Sequence, residues 1–94
     1  MRLTSRELSS IRTTLSALDP MGHIYLYGSR ADDTRRGGDI DLFLEASRAI
    51  DLKTMLTTQY RLMVACDTKV DLLVKTPEQA DMPIHQIARG GIRL

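Results

Sequence analysis

The 94-residue chain has no tryptophan, a single cysteine, one phenylalanine and three tyrosines, and its charges almost cancel. Each shortage removes a class of function. Cys66 can close no internal disulfide, and no paired Cys or His motif accompanies it, so neither a disulfide scaffold nor a zinc module is built here. Its place on the apolar side of an expected helix suits a core residue better than a nucleophile. Thirteen basic and 12 acidic residues leave a net charge of +1 with no long run of one sign, which argues against broad electrostatic capture of nucleic acid. Tyr25, Tyr27, Phe43 and Tyr60 are too few for a base-stacking platform, so nucleic acid is not expected as the main partner. No apolar run approaches membrane-spanning length, and Met1 to Glu7 has no signal-peptide core. The expectation is a cytoplasmic protein with no membrane partner. Missing too are the Gly-x-x-x-x-Gly-Lys-Ser/Thr phosphate loop, the Gly-x-Gly-x-x-Gly turn and a Gly-x-Ser-x-Gly elbow. Neither His23 nor His85 has a spacing that marks it as a base for Ser29, and a hydrolase triad is unsupported.

What is present reads as an ordinary folded protein, 43% hydrophobic and 27% charged. The length suits one small domain spanning residues 1–94, with no internal repeat or linker. Such a domain buries a smaller share of its surface than a larger one, so a partner, a second copy or another protein, can add to its stability.

The chain is organised around Tyr25-Leu26-Tyr27-Gly28-Ser29-Arg30, a spacer from Ala31 to Gly38, and Asp39-Ile40-Asp41-Leu42-Phe43-Leu44-Glu45. If residues 39–45 are extended, Asp39 and Asp41 project to one side while Ile40, Leu42 and Leu44 face the other. Aspartate is disfavoured in strands and like charges one pleat apart repel, so the pair calls for a counter-charge. A hard divalent cation supplies one, since Mg²⁺ is held by one or two protein carboxylates with water and substrate phosphate completing its shell. A bare Asp-x-Asp also fits a turn cap followed by a solvent-facing strand residue, but the upstream half adds a phosphate cradle. Gly28-Ser29 follows an apolar run, Ile24 to Tyr27, and precedes residues able to open a helical turn with Ser29 as its N-cap. Glycine lets the backbone approach a phosphate, the N–H groups of a helix start donate to anions, and Arg30 offers a positive fork.

Around this centre, Thr4-Ser5-Arg6-Glu7 has capping-box spacing and opens a helix whose stripe is Leu8, Ile11, Leu15 and Leu18, ending by Asp19-Pro20. His23 to Tyr27 is the first strand, and a lone His23 is read as structural. Asp51 caps a long helix with Leu52, Met55, Leu56, Leu62, Met63 and Cys66 as its apolar face, interrupted by Gln59. Asp67 ends it and leads into the strand Thr68 to Lys75, where Val70, Leu72 and Val74 face one way and Asp71 the other with Lys69 and Leu73. Thr76-Pro77-Glu78-Gln79 marks another helix start, interrupted by Pro83, with a last turn from Ile84 to Arg89 and an edge strand at Ile92 to Leu94. Arg35 or Arg36 in the charged loop is a candidate for reaching a triphosphate.

Gly28-Ser29 followed by Asp39-Ile40-Asp41 on the next strand resembles the signature of the DNA polymerase β-like nucleotidyltransferase superfamily, and most of all its minimal nucleotidyltransferases (MNT), encoded beside a HEPN-domain partner. The resemblance covers nearly the whole chain. It implies an α/β (α+β) palm-like fold, a small mixed β-sheet packed against helices, and a third carboxylate on a neighbouring strand, a place that Asp71 fills. It further implies two Mg²⁺ ions held by Asp39, Asp41 and Asp71, with Gly28, Ser29 and Arg30 binding the phosphates of ATP or another nucleoside triphosphate. The implied activity is transfer of a nucleoside monophosphate to an acceptor hydroxyl, with the HEPN toxin's tyrosine as acceptor and the chain as antitoxin. Two metals about 3.5–4 Å apart can clamp the attacking and leaving oxygens of such a displacement. Gly38 departs from the pattern, which usually has Ser or Thr directly before the first aspartate and a longer spacer. A non-catalytic nucleotide-binding module that silences its partner by complex formation is the alternative.

Overall fold

The chain alternates helix and strand because its apolar residues change period, and the computed structural model, which describes residues Met1–Leu94, shows where each period leads. Helix α1 (Ser5–Leu18) opens on the expected capping box: Thr4 Oγ1 accepts from Glu7 N at 3.0 Å and Glu7 Oε1 accepts from Thr4 N at 2.8 Å. Strand β1 (His23–Tyr27) pairs antiparallel with β2 (Ile40–Glu45). Helix α2 (Leu52–Cys66) then crosses over to β3 (Val70–Lys75), parallel to β2. Asp51 Oδ1 caps α2 by accepting from Thr54 N at 2.7 Å, and Asp67 ends it in the left-handed region at φ 51°. A short helix α3 (Pro83–Arg89) and the edge strand β4 (Ile92–Arg93), antiparallel to β1, complete a sheet of order β3-β2-β1-β4. The architecture is the expected mixed sheet packed against helices.

Period-two alternation divides this sheet into unlike faces. Ile24, Leu26, Ile40, Leu42, Leu44, Val70 and Val74 form one core with Ile11 and Leu15 of α1 and Leu62 and Cys66 of α2. Burial of these side chains, each contributing about 1.5–3 kcal/mol for the larger aliphatics, fixes the register and so sends Tyr27, Asp41 and Asp71 to the opposite face. Asp19, which closes α1, is buried and accepts from Ser47 N at 2.7 Å and Ser47 Oγ at 2.6 Å, tying the helix to the end of β2. No helix is long and apolar enough to cross a membrane.

Three expectations are corrected. Residues 76–79 form a turn, with Gln79 N donating to Thr76 O at 3.1 Å, and the helix starts at Pro83. Proline suits the first helical position at both places, but only the second lets the helix bury His85 and Ala88. Ser29 is not an N-cap; it lies inside a 3₁₀ turn, Gly28–Ala31, whose flanking residue is Tyr27. Leu52 and Leu56, counted in the apolar face of α2, are exposed, because that face centres on Thr58, Leu62 and Cys66.

Candidate active site

The charged row of the outer face runs across three strands. Asp41 lies opposite Tyr27 of β1 on one side and opposite Asp71 of β3 on the other. Burial, then the charges of Asp71 and Asp39, push the Asp41 carboxyl above its ordinary range, opposed by Lys69. Burial and the same two carboxylates, Asp41 and Asp71, push the Tyr27 phenol up. Asp39 precedes β2 and turns its Oδ2 to Lys69 Nζ at 3.6 Å. In this conformation no three acidic, Cys or His side chains converge closely enough to enclose an ion. The donors are nonetheless all hard carboxylate oxygens, and their unrelieved repulsion is the electrostatic condition that a divalent cation relieves.

Gly28 connects this row to the loop. It sits at φ +70°, and a Cβ there would lie 2.3 Å from Asp41 Oδ2, so the backbone of Gly28 occupies space that no side chain can share with the carboxylate. Gly38 repeats the logic at φ +88°, where a Cβ would meet Ser29 Oγ at 2.3 Å. The departure from the usual Ser or Thr before Asp39 thus has a local cause: Ser29 takes the room. Arg30, expected as a phosphate fork, donates from Nε to Gly38 O at 3.1 Å and from Nη1 to Arg2 O at 2.9 Å, with Glu7 Oε1 at 3.5 Å. Arg2 Nη2 in turn donates to Ser29 O at 2.9 Å and Gly37 O at 2.8 Å. Together the two arginines brace the loop from Ser29 to Gly38. Arg35 and Arg36 are exposed on it.

Further along the same face stands a packed cluster. Phe43 is fully buried, with Tyr25 stacked at 5.8 Å, His85 at 5.6 Å and the Arg89 guanidinium 5.9 Å from its ring centre. Arg89 Nε donates to Glu45 Oε2 at 2.9 Å and Nη2 to Asp81 Oδ1 at 2.8 Å. His85 Nδ1 accepts from Met82 N at 2.9 Å, which fastens the start of α3. His23 is at this end, 4.0 Å from Glu45 Oε1, and apart from the aspartates. Sequence reasoning gave Tyr27 and Lys69 no role in the site; Tyr27 precedes Gly28 and Lys69 shares the parity of Asp71, the two signals that could have found them.

A family model described as polymerase beta, nucleotidyltransferase, matches residues 9–94, a span that includes Gly28 and all three aspartates. Among solved structures, a chain from the crystal structure of a toxin–antitoxin MntA–HpeT mutant aligns with a TM-score of 0.77 and 26% identity, over 93% of this chain and 70% of that one. No curated protein matches. With the match covering every strand of the sheet, the chain belongs to the polymerase β nucleotidyltransferase family.

Proposed function

We propose that the protein is the antitoxin of a toxin–antitoxin pair and acts as a metal-dependent adenylyltransferase, moving AMP from ATP onto a tyrosine hydroxyl of a HEPN-domain toxin in the cytoplasm. The observation that carries this reading is the Asp41–Asp71 pair, set side by side on parallel strands beneath the glycine backbone at position 28. Two acidic side chains so placed destabilise the sheet by about 0.2–1 kcal/mol unless something positive joins them. The toxin–antitoxin relationship of the structural neighbour supports the partner class.

Asp39, Asp41 and Asp71 would hold Mg²⁺, with Asp39 exchanging its Lys69 contact for the ion. The bound metal supplies charge neutralisation on the phosphates and acidifies the acceptor hydroxyl. The chain's own residues do the rest. Gly28 and Ser29 present backbone and hydroxyl to the β and γ phosphates, on a loop that Arg2 and Arg30 hold still. Asp71 takes the proton of the acceptor hydroxyl as its oxygen bonds to the α-phosphorus. The bond from that phosphorus to the bridging oxygen breaks, and pyrophosphate leaves.

Incubation of the product of the adjacent gene with this protein, ATP and Mg²⁺, followed by intact-mass spectrometry, tests the reading. A gain of AMP units that an Asp41→Asn variant does not give supports it. No gain with any of the four triphosphates refutes it. One observation favours the second reading, a nucleotide-binding module that silences its partner without chemistry: Asp39 is drawn to Lys69 and the three carboxylates stand unconverged. Silencing that survives Asp39→Asn with Asp41→Asn, with no mass gain from the unaltered protein, would establish it.

A further inference from the structure

Helix α2 presents an apolar row to solvent as well as one to the core. Leu52, Leu56, Tyr60 and Val64 are 69%, 56%, 67% and 63% exposed, and their four-residue spacing aligns them along one side of the helix. Scattered exposed apolar residues are ordinary, but a contiguous row of large ones marks an interaction surface. Beside it Lys53, Thr57 and Arg61 run at the same spacing and border a cleft of about 560 Å³ between α1 and α2, with Arg48 at its edge. Neither Lys53 nor Arg61 has a carboxylate at ion-pair distance, whereas Arg48 donates to the carbonyls of Leu18 and Ala49. Asp51, at the start of the helix, is committed to the Thr54 N–H at 2.7 Å. An unpartnered apolar row thus lies next to unpartnered positive charge.

We infer that this face docks an amphipathic helix of the toxin, with an apolar stripe that covers Leu52 to Val64 and acidic side chains that meet Lys53 and Arg61; the inference rests on the toxin partner proposed above. Charge selects this occupant over a second copy. Two copies packed antiparallel about Thr57 would set Lys53 of each against Arg61 of the other, and parallel packing would set like residue against like, so self-association places cations together. A helix with an acidic border instead compensates all of them. Because α2 lies on the sheet face opposite Asp41 and Asp71, a toxin held here leaves the aspartates open. Capture and chemistry are then separable functions of the two faces.

The test uses the full chain with the product of the adjacent gene, by calorimetry and by hydrogen exchange of the complex. Amide protection over residues 52–64 is expected on binding, and Tyr60→Glu should weaken binding by at least about tenfold. Lys53→Glu with Arg61→Glu should weaken it by about tenfold and flatten its salt dependence. These side chains are exposed, so circular dichroism and Tm should match the parent, and labelling at saturating partner should keep its kcat while the KM for the partner rises. Dissociation constants within twofold of the parent overturn the inference. So does protection confined to residues 23–45 or 83–89, a homodimer abolished by Tyr60→Glu, or no binding at all. The transferase reading fails separately: a complex held through residues 52–64 that never gains mass leaves the docking face standing and removes the chemistry.

Discussion

Asp41 and Phe43 are two residues apart on one strand and face the same side of the sheet, yet their surroundings have opposite character. Around Phe43 the charged groups are partnered: Arg89 joins Glu45 and Asp81, and His85 closes the start of α3 over the ring. Around Asp41 three acidic groups share Lys69 alone, and burial adds to their cost. One end of the face is finished by the chain itself, and the other waits for something positive. A fold that can place Arg89 so exactly against carboxylates could have placed a cation beside Asp71 as well. Leaving that position open is what a binding site requires, and stability is the quantity given up.

The largest expected effect tests the open end. Asp41→Asn should lower the proposed AMP transfer by about a thousandfold, the scale for losing a group that stabilises the transition state, read as initial rate by intact mass. The same substitution should raise the stability of the metal-free protein by about 0.2–1 kcal/mol in a urea melt, because it removes one of the repelling charges. A variant that is both inactive and destabilised would contradict that contrast. At the finished end the sign reverses: Phe43→Ala should cost about 3–5 kcal/mol, since it empties a fully buried position beneath α3. Gly28→Ala lies between them. Its methyl group would meet Asp41 Oδ2, and φ +70° disfavours any side chain, so transfer should fall by about a hundredfold or more while stability falls by about 1–3 kcal/mol.

The open end was legible in the sequence, the finished end much less so. Asp39, Asp41 and Asp71 announce themselves because carboxylates are out of place on apolar strands, and Gly28-Ser29 because glycine follows a strand abruptly. The place of Arg30 was not legible for a physical reason: its spacing suits a phosphate fork, but Gly38 O and Arg2 O accept from it, and those contacts depend on where residues 8 and 28 positions away fold back. Leu52 and Leu56 mislead likewise. Helical periodicity gives an apolar arc but not its width, and here α1 and the sheet cover only the part centred on Leu62. The α3 cluster carries little local signal, since His85 and Arg89 share a helix face but reach Phe43 and Glu45 only through tertiary packing.

The last comparison concerns a carboxylate of the opposite kind. Burial pulls the Asp19 carboxyl upward, but hydrogen bonds from the Ser47 hydroxyl, Ser47 N and Met21 N, with the charge of Arg48, outweigh it and leave the group below its ordinary range. A folded value lower than the unfolded one means that the contribution to stability is complete above the ordinary aspartate range near about pH 4 and is lost as pH falls through the lower folded value. Asp19→Asn should therefore cost about 1–3 kcal/mol at pH 7, the scale for breaking a buried hydrogen-bonded group. The difference from the parent should shrink steadily in urea melts taken at decreasing pH below about 4. A difference that stays constant across that window would mean that Asp19 acts through shape alone, and that the contrast between satisfied and unsatisfied carboxylates is not one of charge.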